Sequence, residues 1–256
     1  MNALAPSPLF AGPLACTSVQ RPPPGHIQRQ SLLLRLVTHG CRLRLLIAPA
    51  GFGKTVLLAD CARECPQSHS LLWLNCAAQP LDATQLAQLL SKALDYPADL
   101  STGELLSALA QEPRQLWIML NDYPAQPESG LDAYLNQLLN AAPAGVSWWL
   151  GSRRRPACNL SRLLLEGELL ELGHADLRFT STEVAAWLHQ LEPTRSAWAA
   201  DLHELTQGWP AALARGSCRD QDPMWAWQVD QGGQPLNACL CACLYTHTLD
   251  VAVPGK

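Results

Sequence analysis

Along the first two-thirds of the chain, short apolar runs alternate with longer amphipathic stretches. The run Leu43-Arg44-Leu45-Leu46-Ile47-Ala48 is almost unbroken and ends in Pro and Gly. It predicts a buried strand that enters a tight turn. Residues 71–75, 116–122, 146–152 and 169–172 have the same character, and Leu116-Trp117-Ile118-Met119-Leu120 is the most apolar of all. Between them, residues 31–37, 55–63, 82–94, 102–110 and 131–141 are apolar at helical spacing. Near-continuous apolar strands joined by helices predict an α/β fold, a mostly parallel sheet sandwiched by helices.

After Asp176 the pattern becomes purely helical, over residues 181–191 and 196–206. Ser181 or Thr182 is placed to cap the first of these helices, with Glu183 in its first turn. Trp187, at helical spacing with Leu191, belongs to the core of this small lobe. The expected organisation is a flexible leader over 1–28, a nucleotide-binding domain over 29–175, a helical lid lobe over 176–215 and an irregular or truncated tail over 216–256.

Composition narrows the classes. The chain has 256 residues, room for one core and a smaller lobe. Its net charge of −4 gives it no overall footprint for nucleic acid, so no direct DNA binding is expected from this chain. No apolar run reaches the length of a membrane span. No basic residue precedes the apolar N-terminus, which reads poorly as a secretion signal, and a cytoplasmic location is expected. Of the ten cysteines, Cys61 and Cys65 lie one helical turn apart, and Cys41 and Cys76 flank expected strands. Buried thiols in a reducing compartment explain them. Cys239, Cys241 and Cys243 alternate, with His247 nearby. A metal cluster is one reading there, although zinc sites space paired cysteines more widely.

The run Ala48-Pro49-Ala50-Gly51-Phe52-Gly53-Lys54-Thr55 carries the chemistry. It stands between an expected strand and a helix N-terminus, where small residues let the backbone wrap a phosphate. The helix dipole and inward amides favour an anion there. Candidate nucleotide contacts are Ala50, Gly51, Phe52, Gly53, Lys54, Thr55 and Val56. Lys54 would neutralise the β- and γ-phosphates of ATP, and Thr55 would place its hydroxyl on Mg²⁺. The first position is Ala48 rather than Gly, which is acceptable where the strand ends with ordinary dihedrals.

A second acidic strand end follows from the same logic. Asn121 and Asp122 close the apolar run at 116–120, where the ligand crevice of a parallel sheet opens. Asp122 would contact Mg²⁺ through water or orient the attacking water; an Asn-Asp pair also suits a plain strand-end turn. Asn121 is neutral. If it holds the metal position, turnover should be slow.

These residues, in order, resemble MalT-like, LuxR-type ATP-dependent transcriptional regulators of the STAND class of signal-transduction ATPases. The run 46–55 is similar to the family's phosphate loop, and Leu72-Trp73-Leu74-Asn75 to its second strand. Asn121-Asp122-Tyr123 is similar to its Asp-Asp-Tyr. Gly151-Ser152-Arg153 with Pro156, residues 169–172, residues 176–180 and Thr206-Gln207-Gly208-Trp209-Pro210-Ala211 match further motifs. His26 to Arg29 resembles the segment that packs on the base. The resemblance spans roughly 24–214 and implies a switch between an ADP-bound resting state and an ATP-bound, self-associating one. It implies that Arg153 senses the γ-phosphate and that Pro210 packs near the adenine. On the residues alone, Arg153 to Arg155 also reads as a solvated basic cluster, and Pro210 also suits a helix start.

The family continues into sensor and DNA-binding domains, and residues 216–256 resemble it poorly. Asn75 and Asn121 stand where the family often has Asp. The expectation is a module that binds nucleotide and is truncated before those domains. A stand-alone P-loop ATPase or kinase is the alternative, and steady multiple turnover would distinguish it.

Overall fold

The structure, a computed structural model, describes residues 19–22, 25–76, 81–98 and 100–217. Five strands form on the apolar runs: β1 (Leu43–Ile47), β2 (His69–Asn75), β3 (Gln115–Tyr123), β4 (Val146–Ser152) and β5 (Leu169–Leu172). All pair in parallel, in the order β2-β3-β4-β1-β5. α1 (Gln30–Thr38) precedes β1, and the helices between the strands include α2 (Lys54–Arg63), α3 (Ala83–Ala93), α4 (Thr102–Gln111) and α5 (Leu131–Ala141). This is the α/β sandwich that the alternation predicts.

The strand period of two sends alternate residues into two cores. Leu43, Leu45, Leu72, Leu74, Leu116, Ile118, Leu120, Trp148 and Leu150 pack with α3, α4 and α5. Leu46, Trp73, Trp117, Met119, Trp149 and Leu172 pack on the opposite face with α1 and α2. Burial on both faces is why the runs look unbroken in sequence.

Helix starts follow local chemistry. Asp82 and Ser101 cap α3 and α4 in reciprocal boxes with Gln85 and Glu104. Two short helices, α6 (Ser161–Leu165) and α7 (His174–Leu177), carry too little periodic signal to be predicted. A third, α10 (Pro210–Ser217), starts at Pro210, which suits a first turn.

Two helical expectations need correction. The cap of α8 (Ser181–Leu191) is Thr180, not Ser181 or Thr182. Thr180 N–H donates to the Glu183 carboxylate at 2.8 Å, and Glu183 N–H donates to the Thr180 hydroxyl at 3.2 Å. Glu183 can make that exchange only from the third helical position. The stretch expected as one helix over 196–206 is a 3-10 turn, Pro193–Trp198, followed by α9 (Ala199–Thr206). Pro193 fixes φ at the start of that turn.

α8, α9 and α10 bury Val184, Trp187, Leu188, Ala199 and Leu213, with Ile27 and Phe179 against them. Trp187 therefore lies in the core of this helical group, as its spacing predicts. Ile27 belongs to the segment read as a flexible leader. The described part of that segment is tied to the rest of the chain. His26 meets the buried Asp60 of α2 at 3.0 Å, and Arg63 donates to Gln20 O at 3.2 Å. Residues 1–18 and the tail from 218 onward, including Cys239, Cys241, Cys243 and His247, lie outside the described residues.

Two buried arginines stand out against this apolar background. Arg44 on β1 is 3% exposed. Its guanidinium donates to Leu36 O at 2.7 Å, to Cys41 O at 2.9 Å and to His39 O, and lies 4.2 Å from the Trp149 ring centroid. It thus serves carbonyls at and just beyond the C-terminal end of α1, which no helix can satisfy internally. Arg29, just before α1, forms a fork on Glu183 and donates to Leu177 O and Arg178 O. It also stacks 4.7 Å from the Phe179 ring centroid.

Candidate functional site

The carboxyl ends of β1, β4 and β3 meet on one edge of the sheet, and the run at 48–55 lies there. Ala48 is buried, and its amide extends the ladder by donating to Ser152 O at 3.3 Å. It keeps strand-like pairing, so an alanine fits at this first position. The turn is made by Gly51 and Gly53, with φ of +80° and +77°. Both are left-handed conformations that glycine adopts without a steric penalty.

α2 begins at Lys54, directly after Gly53, and no side chain caps it. Its first amides, including those of Lys54, Thr55 and Val56, have no partner within the helix and remain donors for an anion. The Lys54 ammonium donates to Ala48 O at 2.6 Å and to Pro49 O at 2.9 Å. Its residue is only 8% exposed. Burial lowers its pKa to about 8; Asp122 pulls the other way and Arg153 adds to the fall. The structure therefore brings Lys54, Asp122 and Arg153 into one electrostatic neighbourhood.

Asp122 arrives there through a bulge. Leu120 pairs with Leu150 and Tyr123 with Ser152, so β3 spends one more residue than β4 between these pairs. Asp122 takes a φ of +55° in that bulge. Its charge also reaches Cys76 at the end of β2, whose thiol burial already pushes up to about 12. Asn121 is 6% exposed, and its Oδ1 is buried without a hydrogen-bond partner. A Cβ added at Gly151 would lie 3.9 Å from Lys54 Cβ and 4.0 Å from Asn121 Oδ1. Leu58 Cδ1 would lie nearer still, at 2.9 Å, so Asn121, Lys54 and Leu58 close around the side of Gly151 where a larger residue would not fit.

Arg153 differs from the two arginines after it. Arg154 pairs with Asp132 at 2.8 Å, and Arg155 pairs with Glu171 at 3.1 Å. Arg153 is exposed and makes no ion pair or hydrogen bond among the described residues.

The helices after β5 close onto the loop. Ala211 N–H donates to Gly51 O at 3.0 Å. A Cβ on Gly51 would lie 2.6 Å from Ala211 Cβ and 3.0 Å from Trp209 Nε1. Phe52 packs 6.4 Å from the Trp209 ring and edge-on to His174 at 6.3 Å. Pro210 opens α10 between these two contacts, which brings it beside the loop. The sequence reading singled out Pro210 and gave Trp209 and Ala211 no role; only their place in the run 206–211 marked them.

Three oxygen-bearing residues stand at these element ends: Thr55 in the first turn of α2, and Asn121, with its orphaned Oδ1, and Asp122 near the end of β3. Such a set fits a hard cation like Mg²⁺. Among the described residues, no group of three or more His, Cys, Asp or Glu side chains is gathered to hold a metal by itself. None of their helices is long and apolar enough to cross a membrane.

No family model matches the chain. Curated proteins do. The transcriptional regulator MalT of Serratia proteamaculans is 27% identical over 208 residues, covering 72% of this chain and 23% of MalT. The serine/threonine-protein kinase PknK of Mycobacterium tuberculosis is 26% identical over 216 residues, covering 75% of this chain and 19% of the kinase. The chain thus spans about a fifth of the length of these relatives. Among solved structures, a STAND protein with a tetratricopeptide repeat sensor from Pyrococcus horikoshii aligns with a TM-score of 0.55 at 18% identity. That alignment covers 80% of this chain and 32% of the archaeal one. The chain is similar to MalT in sequence over most of its length, and its fold is that of a P-loop NTPase, a parallel sheet between helices.

Proposed function

We propose that this chain is an ATP- and ADP-binding signal-transduction module, with residues 29–175 as the nucleotide domain and 176–215 as its lid. One observation carries the reading. A glycine-turned loop, an uncapped helix N-terminus and a buried ammonium converge at the carboxyl edge of a parallel sheet. This is the arrangement that fits a polyphosphate. The sequence likeness to MalT, a transcriptional regulator, supports a regulatory rather than a metabolic role. On this reading the module works in the cytoplasm and self-associates in its ATP state. It makes no direct contact with DNA.

The residues divide the work. Amides from Ala50 to Val56 receive the phosphate oxygens. Lys54 leaves its two carbonyl partners and pairs with the β- and γ-phosphates. Arg153, which has no competing partner among the described residues, reaches the γ-phosphate, and Pro210 borders the base. Thr55 and Asp122 would hold Mg²⁺, with Asn121 beside them. A bound Mg²⁺ would neutralise charge on the terminal phosphates. Asp122 orients water.

Equilibrium titration with a fluorescent ADP analogue tests this directly. Lys54→Ala should weaken binding about 100-fold, the upper range for charge-assisted hydrogen bonds. Wild-type protein that ignores millimolar ADP and ATP, or a variant that binds equally well, would overturn the reading. The same titration has a pH signature. Lys54 has a depressed pKa of about 8 in the described structure, and a bound polyphosphate favours its charged form. Affinity should be level below that pH and decline above it. At pH 9 it should be about tenfold weaker than at pH 7, one decade per pH unit.

Turnover should be slow, because Asn121 brings no negative charge to the metal side of the site. Asn121→Asp should raise the ATP hydrolysis rate by about tenfold or more. The added carboxylate near Lys54 should also move the fall in affinity to higher pH. An unchanged rate in phosphate-release assays would remove Asn121 from this role.

A further inference from the structure

The contact between α10 and the loop has a definite polarity. Pro210 has no N–H, so Ala211 supplies the first free backbone donor of α10. The amides of Ala212 and Leu213 both turn back to Trp209 O, at 3.1 Å each. The Ala211 amide instead leaves the helix and reaches Gly51 O. Only glycine permits this approach, since any Cβ at position 51 would collide with Ala211 and press on Trp209.

That bond also fixes the other half of the same peptide group. The described chain contains no cis peptide, so the Gly51 carbonyl and the Phe52 N–H point in opposite directions. With the carbonyl held by α10, the Phe52 amide faces away from α10. A glycine peptide with no such tether can rotate, because both signs of φ are open to it.

We propose that Ala211 and Trp209 are positioning residues for phosphate binding. The Ala211 N–H holds the Gly51–Phe52 peptide so that the Phe52 amide is aimed at a bound phosphate, and Trp209 packs against Gly51 to keep α10 seated. This inference rests on the nucleotide-binding reading and adds its regulation. Seating of α10 lowers the ordering needed when phosphate binds. By reciprocity, bound phosphate holds α10 in place by the same factor. Displacement of α10 by a partner would release nucleotide without touching Lys54.

The test uses the full chain and ADP. Ala211→Val adds two methyl groups where α10 meets Gly51 and should weaken ADP binding about tenfold, within the usual range of coupling between sites. Ala211→Gly keeps the N–H and should bind within about twofold of wild type. The melting midpoint without nucleotide should stay near wild type in both, which a merely structural role would not allow. In wild-type protein, ADP should slow hydrogen exchange at the Ala211 amide, a readout that needs no variant to fold. If wild type binds ADP while Ala211→Val binds equally tightly, or if ADP leaves exchange at Ala211 unchanged, the positioning role is overturned. A wild type that fails to bind ADP overturns the underlying reading instead.

Discussion

Arg44→Met should lower the stability of the folded core by about 3 kcal/mol, one of the larger effects expected from any single side chain here. The reason is what the arginine leaves behind. Methionine fills a similar volume and suits the apolar surroundings of Trp117 and Trp149. It cannot serve the carbonyls of Leu36, His39 and Cys41, which the guanidinium now satisfies. A buried acceptor without a partner costs about 1–3 kcal/mol, and partial relaxation keeps the total below the simple sum. The melting midpoint should fall by about 10 °C. Arg44→Lys keeps the charge and loses the planar fork and the ring contact, so it should recover only part of the loss. Thermal unfolding followed by circular dichroism measures all three proteins. A methionine variant as stable as wild type would mean that water replaces the guanidinium.

The second large effect is expected at Arg29, and its location differs. Arg29→Ala should loosen the helical group after β5 while the sheet stays folded. The guanidinium holds three partners from that group: the Glu183 carboxylate and the carbonyls of Leu177 and Arg178. Removing one member of a nearly buried pair and exposing its partners to a dry site costs about 3 kcal/mol. Hydrogen exchange across α8 and α9 should rise by about two orders of magnitude, with β1, β3 and β4 unchanged. Glu183 gives the pair a pH signature. Burial pushes its carboxyl up, but hydrogen bonds from Arg29 and the Thr180 amide outweigh that and hold it below the ordinary value of 4.5. A depressed carboxyl pKa contributes stability above the unfolded value, and the contribution fades as pH falls through the folded one. Wild type should therefore keep α8 protected at mildly acidic pH and lose that protection only below the usual carboxylate range. The alanine variant should lose the part of this acid-dependent component that Arg29 supplies and keep the part due to Thr180.

Much of the site was legible before any coordinates. The loop at 48–55 is a local device: its glycines, its lysine and its place between a strand and a helix are all adjacent in the chain. The capping boxes at Asp82 and Ser101 depend on residues only three positions apart, yet the apolar spacing over 82–94 and 102–110 marks the helices without marking their caps. The Thr180 box was missed by one residue, since Thr180, Ser181 and Thr182 are equivalent until Glu183 selects its partner. The arginines at 29 and 44 were not legible as structural groups. Each looks like an ordinary basic residue in sequence, and its role depends on carbonyls that only folding brings near.

The amino-acid sequence on its own determined the strand and helix alternation, the two-faced burial of the sheet and the glycine-turned loop at 48–55 between a strand and a helix. Each follows from hydrophobic period or from contiguous residues. Tertiary structure alone decided that β4 stands between β1 and β3, that Asp122, in a bulge of β3, lies within electrostatic reach of Lys54, and that Ala211 grips Gly51. These depend on pairings between residues far apart in the chain, selected by the packing of whole faces against each other, and no local pattern carries that information.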